Sequence, residues 1–154
     1  MREFPHHYAI SAIARSDGDV AVGGEQLPRL LTAPPAEFGG PGDRWSPETL
    51  ITAAVADCYV LTFRAIAKHA RLQWTSLTCS ATGTLDRVDK VAQFTAFSLR
   101  VALEIPEGTS EEQARTLLLR AEQTCLITNS LKARCAFEAD VHVGEHVSAY
   151  EHVA

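Results

Sequence analysis

Four cysteines, at positions 58, 79, 125 and 135, are the residues of this chain best suited to covalent chemistry. A thiolate attacks electrophilic oxygen or sulfur, and a second thiol can close the oxidised product into a disulfide. None of the four stands in a Cys-x-x-Cys pair, so spacing supports neither a zinc ribbon nor a thioredoxin-type motif. Hydropathy patterning divides them instead. Cys79 lies in an alternating run, Leu72 to Leu85, on the face of Leu77, Ala81 and Leu85. Cys135 lies in the run Ala133 to Val143, on the face of Phe137, Ala139, Val141 and Val143. Both are core positions by pattern. Cys58 and Cys125 belong to helical segments, one inside a helix and one at a helix end. Two thiols on packed helices could meet and form a reversible disulfide, as a peroxidatic thiol and its resolving partner do. The same pattern allows two inert core thiols, since free cysteine is among the most buried residue types.

The element that places Cys58 begins at Ser46. Ser46 suits the N-cap, and Pro47 the first helical position, where its missing N–H has no partner to lose. Glu48 puts negative charge where the helix dipole favours it. The spacing predicts a helix from Pro47 to about Ala70. Its body, Leu50 to Ala56, is apolar almost all round, which predicts burial on most sides. Leu61, Ala65 and Ile66 continue the apolar side, with Arg64 and Lys68 outward. Cys125 is placed by a second helix, opened by Thr109 and Ser110 with Glu112 and Gln113 set for a capping box. That helix runs to about Thr124, and Cys125 then precedes an uncapped turn, Ile127 to Ser130.

The remaining segments read as strands and connections. Residues 8–14 and Val20 to Val22 form a hairpin about Asp17-Gly18, with Arg15 at its end. Gly23 to Arg44 is a long connection rich in Pro and Gly, with room for a short strand at Leu27 to Leu31. A stretch of that length is usually functional or wrapped around something. Trp45 is placed to staple the helix start against Thr49 or Leu50. Leu72–Leu85 and Gln93–Ile105 make a long antiparallel hairpin across a charged turn, Asp86 to Lys90. Thr95, Phe97, Leu99, Val101, Leu103 and Ile105 point inward. His142 and His146 stand four apart on a strand running into a polar tail from Gly144, a spacing that disfavours a shared metal.

At 154 residues the chain is expected to form a single domain over 1–154, with a core over 8–143 and a tail over 144–154. A net charge of −5 without a Lys/Arg cluster argues against a nucleic-acid partner. No apolar run reads as a membrane span, and the first ten residues hold no export signal. The expectation is a cytoplasmic protein with reduced thiols.

Several stretches resemble the family of osmotically inducible protein C and organic hydroperoxide resistance proteins (OsmC/Ohr). LLTAPPAEFGGPGDRWSPETLITAAVADC is similar to the family's Leu-x-x-Pro…Gly-Gly loop and the Ser-Pro-Glu-x-Leu helix that ends on its first cysteine. AEQTCLITNSL is similar to the segment around its second cysteine. The resemblance covers residues 8–143 and implies an α+β OsmC-like fold: antiparallel sheets around two central helices, in an intertwined homodimer with active sites at the subunit interface. It implies Cys58 as peroxidatic and Cys125 as resolving cysteine. Arg15 and Glu48 would hold the thiolate and the peroxide, Arg15 aligning with one extra residue before Asp17-Gly18. Leu126 stands where the family has proline, and Asp57 where it has a small residue. These departures place the chain closer to the broad OsmC-like group than to Ohr proper. Glu48 and Cys58 are ten residues apart, about 15 Å along one helix, so they cannot touch within it. If both serve one site, Glu48 comes from a partner helix crossing antiparallel near Ala53-Ala54.

The expected activity is thiol-dependent reduction of organic hydroperoxides, and of hydrogen peroxide, to alcohols, with no metal or haem cofactor. An external dithiol reopens the Cys58–Cys125 disulfide. Phe38, Leu50, Ile51, Val55 and Leu61 are the expected apolar lining for the substrate. The alternative is a non-catalytic dimeric binding or redox-sensing protein of the same fold. A depressed Cys58 pKa with the two sulfurs close together favours the enzyme.

Overall fold

A computed structural model describes residues 3–144. Length predicts one domain; the chain is organised as two compact units, Met1–Ile51 and Thr52–Ala154. The proposed fraying of the tail and His146 lie outside the described residues.

The first unit holds a three-stranded antiparallel sheet in the order β1 (Ser11–Ile13), β2 (Val20–Gly23), β3 (Leu30–Thr32). The strand expected at Leu27 to Leu31 therefore begins three residues later. Thr32 is its buried position, and Ala33 just after it is buried as well. The long connection is less formless than its composition predicts: the Ala33 N–H donates to the Trp45 carbonyl at 2.9 Å, and a 3₁₀ turn spans Ala36–Phe38. Gly40 is required there, because a Cβ would lie 1.6 Å from the Pro34 carbonyl oxygen. Arg44 Nε meets Asp19 Oδ2 at 3.1 Å, tying the end of the connection to the β1–β2 turn region.

Helix α1 spans Pro47–Ala70. Its entry is a reciprocal cap. Ser46 Oγ accepts from the Thr49 N–H at 3.2 Å, and Thr49 Oγ1 accepts from the Ser46 N–H at 2.8 Å. Burial on most sides is not what forms. Val55, Tyr59, Phe63 and Ala67, at the i, i+4 spacing of one stripe, are the buried residues. Leu61 and Ala65, expected to turn inward, are exposed. Both stripes are apolar, and the one carrying two aromatic rings wins because it removes more area from water. Tyr59 and Phe63 contact Phe137 and Trp74 at ring-centroid distances of 5.5 Å each.

The exposed apolar face has a second consequence. By length and composition α1 is long and apolar enough to cross a membrane, and 22% of its most apolar 18 residues are buried. This corrects the expectation that no run reaches that length.

In the second unit, β4 (Ser76–Val88), β5 (Val91–Ile105) and β6 (Arg134–Val143) form a sheet in the order β4-β5-β6. β4 and β5 pair antiparallel, joined by two residues, Asp89 and Lys90, both in the left-handed region at φ 51° and 68°. Such a turn matches the twist of the strands, so the charged segment from Asp86 is strand and not turn. β6 runs parallel to β5, with Phe97 opposite Cys135 and Val101 opposite Ala139. The sheet is therefore mixed, not wholly antiparallel, because α2 (Glu111–Thr124) and α3 (Leu126–Ser130) carry the chain back before β6 starts. Phe97, Leu99, Val101, Leu103 and Ile105 are buried, as their alternation predicts. Val143, expected inward, is 46% exposed at the strand end.

Helix α2 opens on Ser110, whose hydroxyl accepts from the Gln113 N–H at 3.2 Å. Ala114, Leu117, Leu118 and Ala121 form its buried stripe. The buried Tyr59 hydroxyl donates to the Leu118 carbonyl at 3.2 Å, joining α1 to α2.

Candidate active site

Cys125 is the hinge of the site. It closes α2 and opens α3, in extended conformation (φ −65°, ψ 111°). The segment Ile127 to Ser130, expected as an open turn, is the short helix α3. The Cys125 carbonyl accepts from the Asn129 N–H at 3.1 Å and the Thr128 hydroxyl at 3.0 Å. Asn129 Nδ2 donates back to the Gln123 carbonyl at 3.1 Å. Local polar side chains thus tie a helix too short to hold itself to the end of α2. Leu126 occupies the first helical position, the place where a proline would also fit.

This junction brings Cys125 against Cys58. The two thiols are hydrogen-bond partners, and both are free. Cys125 is wholly buried and Cys58 half-buried. The Ile127 N–H and the Thr62 hydroxyl both donate to the Cys58 sulfur and favour its thiolate. Burial is the larger influence, and with Cys125 it pushes the Cys58 thiol above its ordinary value. The depressed pKa expected of a peroxidatic cysteine is therefore absent from this chain by itself. Desolvation outweighs two hydrogen bonds, and none of the groups acting on the sulfur is a cation.

Cys58 opens onto a groove of about 530 Å³. One wall is the uncovered face of α1: Ala54, Asp57, Leu61, Thr62, Ala65 and Ile66. The other is Leu126 and Ile127 at the start of α3. Of the expected lining residues, Leu61 is in this wall. Val55 is not: it is fully buried in the opposite stripe of α1 and supports the helix from behind. Leu50 and Ile51 lie half-buried earlier on the same helix. Phe38 is 59% exposed in the 3₁₀ turn of the first unit. Arg15 is exposed just past β1, also in the first unit. Glu48 is half-buried in the first turn of α1, ten residues before Cys58 on that helix.

Cys79 and Cys135 sit on the covered face of the second sheet, as alternation predicts. Burial pushes Cys79 up to about 11, helped by Cys135 and Cys125. Burial and Glu122 raise Cys135. Neither lines the groove. Of the two groups that favour the Cys58 thiolate, Thr62 is legible in the sequence and Ile127 is not. Thr62 is one helical turn past Cys58, a spacing that marks it as a neighbour. Ile127 acts through its backbone, for which residue type gives no signal.

Known proteins resemble this chain in sequence or in fold. An uncharacterised protein from Bacillus subtilis, YmaD, is 22% identical over 112 residues, covering 71% of this chain and 75% of its own. The solved structure of an OsmC-like protein of unknown function from Vibrio cholerae superposes with a TM-score of 0.79 at 20% identity, covering 88% of this chain and all of the other. An organic hydroperoxide resistance protein OsmC from Legionella pneumophila gives 0.65 at 23% identity, over 92% of this chain and all of its own. These likenesses share the α+β fold. The profile described as OsmC-like protein matches residues 40–140, which span α1 and Cys58, α2 and Cys125, and most of β6. The chain belongs to the OsmC-like protein family.

Proposed function

We propose that this chain is a thiol-dependent hydroperoxide reductase acting through Cys58 and Cys125. The observation that carries this is that Cys58, which lines an apolar groove, has the buried Cys125 thiol beside it. The Cys58 thiolate attacks the outer oxygen of ROOH; the O–O bond breaks, ROH leaves with a proton, and Cys58 becomes a sulfenic acid. The Cys125 thiol then condenses with it, releasing water and forming the Cys58–Cys125 disulfide. An external dithiol reduces that bond by two electrons and returns both thiols. No step needs a metal or prosthetic group.

The working form in this account is a homodimer. The exposed apolar face of α1 is what a second copy would cover, and Cys58 lacks a cation in its own surroundings. Arg15 of the partner subunit is the proposed source of the positive charge that lowers its pKa, and with Glu48 of the partner subunit holding that guanidinium in place the pair keeps the thiolate and the peroxide. The non-catalytic alternative, a dimeric binding or redox-sensing protein, draws support from one observation, the raised Cys58 thiol. Steady-state consumption of cumene hydroperoxide with dithiothreitol distinguishes them. Turnover by the wild type that Cys58→Ser abolishes supports the enzyme. Equal, background-level consumption by both supports the alternative.

A further inference from the structure

The Cys58 sulfur draws one of its donors from a break in the chain. In an unbroken α-helix the Ile127 N–H would donate to the Gln123 carbonyl, four residues back. The chain leaves the helical conformation at Cys125, with φ −65° and ψ 111°, and that pair does not form. Each of its two groups has another partner. The Gln123 carbonyl accepts from Asn129 Nδ2 at 3.1 Å, and the Ile127 N–H donates to the Cys58 sulfur. The Asn129 carboxamide thus stands in for the backbone donor that Cys58 receives. The Ser130 hydroxyl, by contrast, donates within α3, to the Leu126 carbonyl at 2.7 Å. All of these bonds lie within one chain and need no second copy over α1.

We propose that Asn129 is a positioning residue for Cys58: its carboxamide occupies the Gln123 carbonyl, keeps α2 from running on through Cys125, and so reserves the Ile127 N–H for the sulfur. A carbonyl in the last turn of a helix has no intrahelical partner and must be satisfied by another group. Without the Asn129 amide, the donor in helical register with Gln123 is the Ile127 N–H itself. When it turns to Gln123, Cys58 loses a hydrogen bond that favours its charged form. The consequence for peroxide reduction rests on the peroxidase reading of Cys58; the consequence for thiolate formation does not. Cys125 is the titratable group that acts on the sulfur within the chain, and Asp57 is the charged neighbour on α1. Asn129 carries no charge, so replacing it leaves both of these, and Arg15 of the partner subunit in the dimer account, unaltered.

The test is the pH profile of Cys58 alkylation by iodoacetamide, read at Cys58 by mass spectrometry, in wild type, Asn129→Ala, Asn129→Gln and Ser130→Ala. Asn129 is exposed, so truncating it opens no cavity. Asn129→Ala should raise the Cys58 midpoint by about half to one pH unit. Alkylation at pH 7 then slows roughly three- to tenfold and approaches the wild-type rate above the midpoint. Asn129→Gln keeps an amide donor and should retain most of the wild-type profile. Ser130→Ala removes a bond internal to α3 and should leave the midpoint in place. At pH 7 kcat/KM for cumene hydroperoxide should follow the alkylation rate across the variants. A midpoint that Asn129→Ala leaves unchanged, a rate it lowers equally at every pH, or an equal shift in Ser130→Ala overturns the proposal. Alkylation that responds as expected without turnover of peroxide removes the peroxidase and leaves the role of Asn129 standing.

Discussion

Cys58 and Cys125 meet although 67 residues separate them, one half-buried in the middle of α1 and the other wholly buried where α2 gives way to α3. The contact is polar on one side and apolar on the other. The Thr62 hydroxyl and the Ile127 N–H reach the Cys58 sulfur from the protein, and the groove reaches it from solvent. A solute in the groove can reach Cys58, while Cys125 is shielded from it.

Thr62→Val removes a donor to the Cys58 sulfur and leaves the side-chain shape nearly unchanged. A hydrogen bond to a charged acceptor contributes more than a neutral one, discounted here because the site is partly open. The expected result is a Cys58 alkylation rate with iodoacetamide about three- to tenfold slower at pH 7. Thr62→Ser should retain most of the wild-type rate.

The pH dependence of Cys58 carries the dimer proposal. A raised thiol pKa means that thiolate is scarce at neutral pH and increases as pH rises. A nearby cation works in the opposite direction. If Arg15 of a partner subunit supplies it, the alkylation profile of the wild type should have its midpoint below the ordinary thiol value. Arg15→Ala should move that midpoint upward by about one to two pH units, slowing reaction at pH 7 roughly 10- to 100-fold. A profile that Arg15→Ala does not shift removes Arg15 from this role.

Tyr59→Phe tests how α1 is held. The hydroxyl and the Leu118 carbonyl are both buried, so the variant loses one hydrogen bond, while the carbonyl keeps its own helical N–H. The expected loss is about 0.5–1.5 kcal/mol. Urea titration should show a lower midpoint with an unchanged slope.

Gly83→Ala tests the packing under the sheet. A Cβ at Gly83 would lie 2.8 Å from Phe94 and 2.9 Å from both Phe97 and Thr52 Oγ1. Phe94 and Phe97 are stacked with centroids 5.0 Å apart, so neither ring yields freely. The substitution should cost about 1–3 kcal/mol through overpacking, seen as a lower thermal midpoint.

Much of the frame is legible in local signals. Ser46 and Ser110 announce both helix starts, because a cap depends on residues within one turn. The buried face of β5 follows from alternation, since Phe97 to Ile105 repeat every second residue. The inward face of α1 is not legible. Its Leu61–Ala65 and Tyr59–Phe63 stripes are both apolar, and the choice depends on Phe137 and Trp74, distant in sequence. The parallel direction of β6 is equally hidden, because either direction shows the same alternation. At the site, the pair of cysteines follows from resemblance, whereas the raised state of Cys58 depends on the depth at which α3 covers it. Asp57 is visible as a departure from the family pattern, but only the groove shows which way it faces.

Mass spectrometry of the reduced protein after one equivalent of cumene hydroperoxide tests the central claim most directly, with Cys125→Ser alongside. The account predicts a Cys58–Cys125 disulfide in the wild type and sulfenic or over-oxidised Cys58 in the variant. Free thiols at both positions in both proteins would contradict it.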